Sequence, residues 1–567
     1  MIKKRINKLK EKFKYLGIDG YVIPKNDEFF SEYASEDRLN IISNFTGSAG
    51  FAIILKKNNY LFVDGRYTIQ AEMESGKLFK IIKYNNILNC KLFKNLTLGI
   101  DPKLFTSHQI FRYFKKYSNV KEIETNLIDS IYRKKKKISK PFYSLNGNAI
   151  GENHKKKIKK VCAFLKNKKS NYLFISAPEN VAWLMNIRGY DNPNSPIPNC
   201  RLLINSNGKF YLISEFKKLR ILAKEKKIKK NQIIEPKNFG NLIKNFTSSK
   251  IIIDNKSCSL FYENLFRKNF KIINGHDPIY LLKSIKNKQE IKNMIDSHIF
   301  DGLALTRFLY WIKKVNKNEI SEFDAQNKLE SFRKKNKNYL FPSFNTIAGA
   351  GSNGAIVHYR AKKETAKKIL KKDIFLCDSG GQYKYGTTDV TRTICFSKPK
   401  NSIRNIFTKV LKGHIAVVTA NLTKNLNGDS IDKLARKYLR QSGFDYQHGT
   451  GHGVGYFLNV HEGPQAISKF NKIKIREGMI LSNEPGYYQK GKFGIRIENL
   501  VYVKKLKKNL FFENLTLAPI DQDLINFDKL DKVEKKYLFN YHLEVYSKLS
   551  KFLNKAEKKW LASFIKH

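Results

Sequence analysis

The chain has 567 residues, too many for one hydrophobic core, so two to four domains are expected. Its 41% hydrophobic and 13% aromatic content excludes wholesale disorder. The formal net charge of +58 raises attachment to nucleic acid or an anionic membrane, but the lysines are spread along the whole chain rather than gathered in a tail. Runs such as "RKKKKISK" and "KEKKIKKNQ" therefore read as solvated helix ends and loops, and no specific nucleic-acid partner is expected.

The N-terminus is basic but has neither an apolar core segment nor a small-residue cleavage site, so it does not read as a secretory signal. Ile2, Ile6, Leu9, Phe13 and Leu16 fall on one helical stripe, and the apolar "GYVIP" follows at once. A helix covering a sheet is predicted. "DGYVIP", "GFAIILKKNNYLFVDGRY" and "LTLGID" read as strands, the middle one as a hairpin turning at "KKNN", and "TSHQIFRYFKKY" reads as a helix. A polar stretch beginning at "YRKKKKISK" looks like a linker. No apolar run approaches the roughly 20 residues needed to span a bilayer, so a soluble, cytoplasmic protein without a membrane partner is expected. Six cysteines, Cys90, Cys162, Cys200, Cys258, Cys377 and Cys395, lack CxxC spacing and read as free thiols in a reducing compartment.

A second unit rhymes with the first. It runs helix, strand and a segment leading to a glycine, then the hairpin "CRLLINSNGKFYLIS", then "KIIIDNKSCSL", which echoes "LTLGIDPKLF". Two related α/β domains in tandem are predicted. A third unit opens on a long helical pattern near "YLLKSIKNKQEIKNMIDSHIF", continues with strands carrying acids and histidines, and ends in amphipathic helices.

The chemistry concentrates in this last unit. "AIVHYR" supplies His358, "DSGGQYKYGTTDVTRT" supplies Asp378 and Asp389, "YQHGTGHGVGYFLNVHEGP" supplies His448, His452 and His461, and "MILSNEPGYYQKGKFGIRIENLVYV" supplies Glu484 and Glu498. Asp378 and Asp389 lie eleven positions apart, the length of one out-and-back hairpin, so both carboxylates can meet at one place. Four carboxylates and one imidazole make a hard, oxygen-rich donor set suited to two bridged divalent ions, Mn²⁺ first, with Co²⁺ or Zn²⁺ as alternatives. "GIRIENLVYV" alternates, which predicts Arg496 and Glu498 on one strand face, with Arg496 holding Glu498 from behind. Cys377 and Cys395 read as buried small hydrophobes, and Trp183 and Trp311 as core. Asp64 and Arg66 read either as a local ion pair or as groups reaching a neighbouring subunit.

In that order, with "HGTGHGVG", "NEPGYY" and "GIRIEN" intact, these residues resemble the pita-bread metallopeptidases, and among them the long three-domain aminopeptidase P branch. The likeness extends to "FFSEYASEDRLNIISNFTGSAGFAIIL" and "LFVDGRYTIQAE" in the first unit and "APENVAWLMNIRGYDNPNSPIPNC" in the second, while "EKKWLASFIKH" keeps only part of the usual end. The resemblance implies an α/β (α+β) chain with two tandem creatinase-like domains, 1–135 and 150–285, before a pita-bread catalytic domain, 286–567. It implies Asp378, Asp389, His452, Glu484 and Glu498 as metal ligands. Glu484 would also shuttle protons, His358 and His461 would donate to the peptide and the developing oxyanion, and His448 would shape the pocket. The implied reaction is attack by a metal-bridged hydroxide on an Xaa-Pro bond of a peptide with proline second, in a homodimer. Prolidase activity, or a non-enzymatic domain binding peptides or nucleic acid, are the alternatives. An Xaa-Pro bond is a tertiary amide without an N–H, so its enzyme needs a rigid apolar slot, for which Tyr487, Tyr488 and His448 are the candidate walls.

Overall fold

The computed structural model describes residues 1–34, 36–89, 92–132, 139–246, 249–424 and 426–565, and divides into two compact units, Met1–Tyr280 and Leu281–His567. Cys90, most of the "RKKKKISK" run and the last two residues lie outside the described residues.

The first unit holds two six-stranded sheets. The first comprises β1 (Gly20–Pro24), β2 (Phe51–Leu55), β3 (Asn59–Val63), β4 (Lys80–Lys83), β5 (Thr97–Ile100) and β6 (Asn119–Glu122), in spatial order 4-3-2-1-5-6. The pairs β1–β2 and β2–β3 are antiparallel, and β3–β4, β1–β5 and β5–β6 are parallel. Its central strands are apolar without a break because both faces are covered. Tyr21 and Ile23 enter one core with Ile6, Leu9 and Phe13 of the helix Ile2–Leu16, whereas Val22 enters the other with Phe51 and Phe62. That helix covers the sheet, as its stripe predicts, and ends at Gly17, whose φ of 58° closes a left-handed cap.

The second sheet uses Tyr172–Ile175, Arg201–Asn205, Phe210–Ile213, Ile233–Ile234, Ser249–Ile253 and Phe270–Asn274. Counted from its own first strand, its order is again 4-3-2-1-5-6, with the same parallel and antiparallel pairs. The rhyme in element order is a rhyme in topology.

The second unit begins with the helix Lys288–Lys314, started by a reciprocal capping box between Asn287 and Glu290, and continues with the helix Glu322–Lys334. Several antiparallel sheets follow, and two of them carry most of the site. A three-stranded one places Ile374–Ser379 between Ile347–Ala350 and Val390–Cys395. The five-stranded one runs Glu462–Ile467, Gly451–Gly453, Ile480–Asn483, Asn499–Leu506, Asn509–Asn514. Helices Asn401–Val418 and Gly428–Arg440 and the C-terminal helices Lys532–Leu549 and Lys555–Ala562 supply the covering layer. Arg392, fully buried, ties the sheets to that layer by donating to the carbonyls of Glu498 and Ala518, to Asn499 Oδ1 and to Tyr541 Oη. Among the described residues, no helix is long and apolar enough to cross a membrane.

Candidate metal centre

Each acid of the cluster sits at a strand end or a strand break. Asp378 is on Ile374–Ser379, and Asp389 immediately precedes Val390–Cys395, its antiparallel partner. The eleven-residue interval is more than one plain hairpin: after Ser379 the chain makes its own small paired turn, Gly381–Tyr383 with Gly386–Thr387, before it returns. Gly380 permits this, because a Cβ there would lie 1.9 Å from Thr388 O and 2.3 Å from Ser343 Oγ. His452 occupies Gly451–Gly453, and Glu484 follows Ile480–Asn483. The two strands approach closely because Gly451 has no side chain; a Cβ would stand 1.9 Å from Ser482 O.

The expectation for Arg496 needs correction. The strand Phe493–Arg496 pairs with Gly486–Gln489, while Asn499–Leu506 pairs with Ile480–Asn483. The chain changes partners at Ile497 and Glu498, so Arg496 and Glu498 do not share one strand face. Arg496 instead donates from Nη2 to Asp378 Oδ2 at 2.6 Å, from Nη1 to Tyr488 Oη at 2.6 Å and from Nε to Thr391 Oγ1 at 3.1 Å. Thr391 passes the connection on, donating to Glu498 Oε2 at 2.7 Å. Arg496 thus reaches Glu498 through a hydroxyl.

His452 Nδ1 lies 2.9 Å from Gly453 O; a carbonyl only accepts, so Nδ1 carries the hydrogen and Nε2 is left to face the acids. Nε2 is 3.4 Å from Asp389 Oδ2 and 3.5 Å from Glu484 Oε1. One ligand atom each from Asp389, His452 and Glu498 all lie within 4.8 Å of one another. Ser482 Oγ donates to Glu484 Oε1 at 3.1 Å.

Two observations fit divalent cations. The buried Asp378 Oδ1 has no hydrogen-bond partner, although its companion oxygen is held by Arg496. Burial pushes the Glu498 carboxyl well above its ordinary range, and Asp389, Glu484 and Asp378 push it further. Burial raises Glu484 as well, opposed by the nearby His452 and Arg496. Four carboxylates around one guanidinium lack positive charge, which hard cations would supply.

His461 is exposed and stacks at an angle on His452, with ring centroids 4.1 Å apart. His448 donates from Nδ1 to Gly449 O at 2.7 Å and accepts at Nε2 from Tyr488 Oη at 2.9 Å, which makes Tyr488 the link between His448 and Arg496. Tyr487 packs against Phe444 and Phe493 at the edge of the core. His358 is half-buried on the irregular segment after the turn Gly351–Ala355. Thr391 reads in the sequence only as a β-branched strand residue of "TRT", two positions beyond an acid, which the strand Val390–Cys395 bears out, and nothing there points to the supporting role of its hydroxyl or of Ser482.

The remaining candidates resolve plainly. Asp64 and Arg66 form a local ion pair, with contacts of 2.7 and 3.1 Å. Trp183 is buried, and Trp311 packs against the core. Cys377 and Cys395 are buried, and burial pushes the Cys377 thiol up to about 12. A second acidic cluster, Cys395 with Asp521 and Asp523, already holds an ammonium: Lys313 Nζ lies 2.7 and 3.0 Å from the two carboxylates.

Residues 292–505 match the model of metallopeptidase family M24, and 508–566 match the C-terminal region of peptidase M24. Residues 5–130 and 132–290 each match a creatinase/prolidase N-terminal domain. A probable Xaa-Pro aminopeptidase P of Laccaria bicolor is 36% identical over 97% of this chain and 90% of its own length. Xaa-Pro aminopeptidase 1 of Dictyostelium discoideum is 34% identical over 100% of this chain and 96% of its own. The crystal structure of X-prolyl aminopeptidase from Caenorhabditis elegans, described as a cytosolic enzyme with a di-nuclear active site, superposes with a TM-score of 0.92 at 27% identity, covering 100% of this chain and 99% of that one.

Proposed function

The chain belongs to metallopeptidase family M24, and from that premise we propose that it is an Xaa-Pro aminopeptidase, which removes the N-terminal residue of peptides with proline in second place. The observation that carries this reading is the convergence of Asp389, His452 and Glu498 on one point, with Asp378 and Glu484 beside them. The division 1–135, 150–285 and 286–567 is the domain plan that accompanies it.

Asp378, Asp389, His452, Glu484 and Glu498 would hold two divalent ions, Mn²⁺ first, with Co²⁺ and Zn²⁺ as alternatives. Bound there, such a pair lowers the pKa of a water and polarises the scissile carbonyl. Glu484 takes the proton that the attacking water gives up and returns it to the proline nitrogen as the C–N bond breaks. His461, exposed beside His452, and His358 donate to the bound peptide and to the oxygen that gains charge. Arg496 fixes Asp378 on one side and, through Tyr488, fixes His448 as a wall of the slot for the residue after the cleaved bond. The substrate amine would sit toward Asp378 or a metal ion, so that cleavage is counted from the N-terminus. A cytoplasmic homodimer completes the reading.

The test is hydrolysis of Xaa-Pro-Yaa tripeptides against Xaa-Pro dipeptides by metal-stripped protein, with each divalent ion added back. Tripeptide turnover restored by Mn²⁺ supports the reading. Turnover of dipeptides alone would make the protein a prolidase. No turnover with any ion, together with salt-sensitive nucleic-acid binding, would make it a binding protein.

A further inference from the structure

Glu322 stands at the start of the helix Glu322–Lys334 and is fully buried. Among the described residues no lysine or arginine pairs with it, and four donors satisfy it instead. Oε1 accepts from Ala350 N at 2.8 Å and Asn353 Nδ2 at 3.0 Å. Oε2 accepts from Asn353 Nδ2 at 3.0 Å, Tyr359 Oη at 2.7 Å and Lys367 N at 2.9 Å. Glu322 N donates in turn to Lys367 O, and Ser321 forms an isolated bridge with Lys368.

These contacts have one thing in common: every donor lies on the segment 350–367. That segment leaves the strand Ile347–Ala350, makes the turn Gly351–Ala355 and then runs without helix or strand past His358. An irregular segment has no ladder of its own to fix it. One carboxylate grips its beginning, its turn, its end and the residue next to His358. Burial and the Glu322 charge both push the Tyr359 phenol up, so it stays protonated and remains a donor. A buried carboxylate with no countercharge is costly unless every lone pair is used, and here all are directed at this one loop.

We propose that Glu322 is the positioning residue for His358: it fixes, through Tyr359 and the two ends of the segment, where the imidazole stands. The proposal rests on the role given above to His358, and it makes Glu322 an actor at one remove from the reaction. An amide at this position keeps the shape but turns one acceptor into a donor, facing two N–H groups on the Oε1 side, or two N–H groups and a hydroxyl on the Oε2 side.

The experiment is a double-mutant cycle of Glu322→Gln and His358→Ala on the metal-loaded protein, with hydrogen exchange read alongside. Glu322→Gln should lower kcat by about 10–100-fold, the range for a group displaced by an ångström, with KM within about twofold and metal content unchanged. In the His358→Ala background the same substitution should cost almost nothing further, because the group it positions is gone. Equal losses in both backgrounds, or no loss in either, would overturn the proposal. If Glu322→Gln fails to fold, Tyr359→Phe replaces it in the cycle, and the same two outcomes decide. The exchange readout stands apart from activity: amides across 350–367 should lose protection in Glu322→Gln while the five-stranded sheet keeps its own. Unchanged protection would overturn the proposal even in a protein that cleaves nothing, whereas an inert wild-type protein would overturn only the aminopeptidase reading.

Discussion

Arg496 and Asp378 meet at 2.6 Å, Nη2 to Oδ2, and leave the other oxygen of Asp378 buried and without a hydrogen-bond partner. The guanidinium spends its remaining donors on Tyr488 and Thr391. A lysine can replace the charge but not this three-way fork. Arg496→Lys is therefore expected to weaken metal binding or turnover by about 10–100-fold, the usual loss when a ligand's support is removed. Metal titration of the purified variant checks it; wild-type affinity and turnover together would show that the fork is dispensable.

Asp389→Asn is expected to abolish hydrolysis while the fold persists. The amide keeps the shape next to His452 Nε2 but removes the charge that a carboxylate ligand would supply to divalent ions. Circular dichroism and metal analysis separate the effects. Near-normal turnover with both ions bound would remove Asp389 from the ligand set.

His461→Ala should lower kcat by about 10²–10³-fold, the range for losing one donor to a developing oxyanion. Metal content should stay whole, because His461 lies with its ring against His452 and is proposed as a donor to the substrate, not as one of the five ligands. Loss of one ion would make His461 a ligand, and an unaltered kcat would take it out of the mechanism.

His542 links stability to pH. Burial, and then Arg392, hold its folded pKa down to about 3, against 6.5 for a free imidazole, and Nε2 accepts from Ile520 N at 3.1 Å. A depressed folded pKa means that the unfolded chain takes up protons first, so the stability contribution is complete above about pH 6.5 and is lost as pH falls toward 3. Between pH 7 and pH 5 the loss should be about 2 kcal/mol for this one group. His542→Gln, which keeps an acceptor without a titrating proton, should show a correspondingly shallower fall in denaturation midpoint over that range. An identical pH profile would mean that His542 takes up its proton over the same pH range folded as unfolded.

The acids, the imidazoles and the two tandem domains were legible because they are carried by local signals: strand-length apolar runs, glycine-rich turns and a fixed order of chemically unusual residues. The partner of Arg496 was not legible. Alternation in "GIRIEN" is a sound guide only while a strand keeps one neighbour, and this one exchanges Gly486–Gln489 for Ile480–Asn483 within two residues. Thr391 and Glu322 were unreadable for a similar reason. Each acts on atoms far away in the chain, and no spacing rule reports a contact such as Glu322 with Tyr359.

Each 4-3-2-1-5-6 sheet is closed by one unbroken stretch of chain, whereas the candidate metal site draws on residues from Asp378 to Glu498. Domains of this kind fold as units in the order in which they leave the ribosome. Both N-terminal sheets can be complete while the ligands are still being translated. A nascent chain halted before the "GIRIEN" segment would carry two finished domains and still lack Glu498, so on the proposed ligand set it could not yet hold both ions.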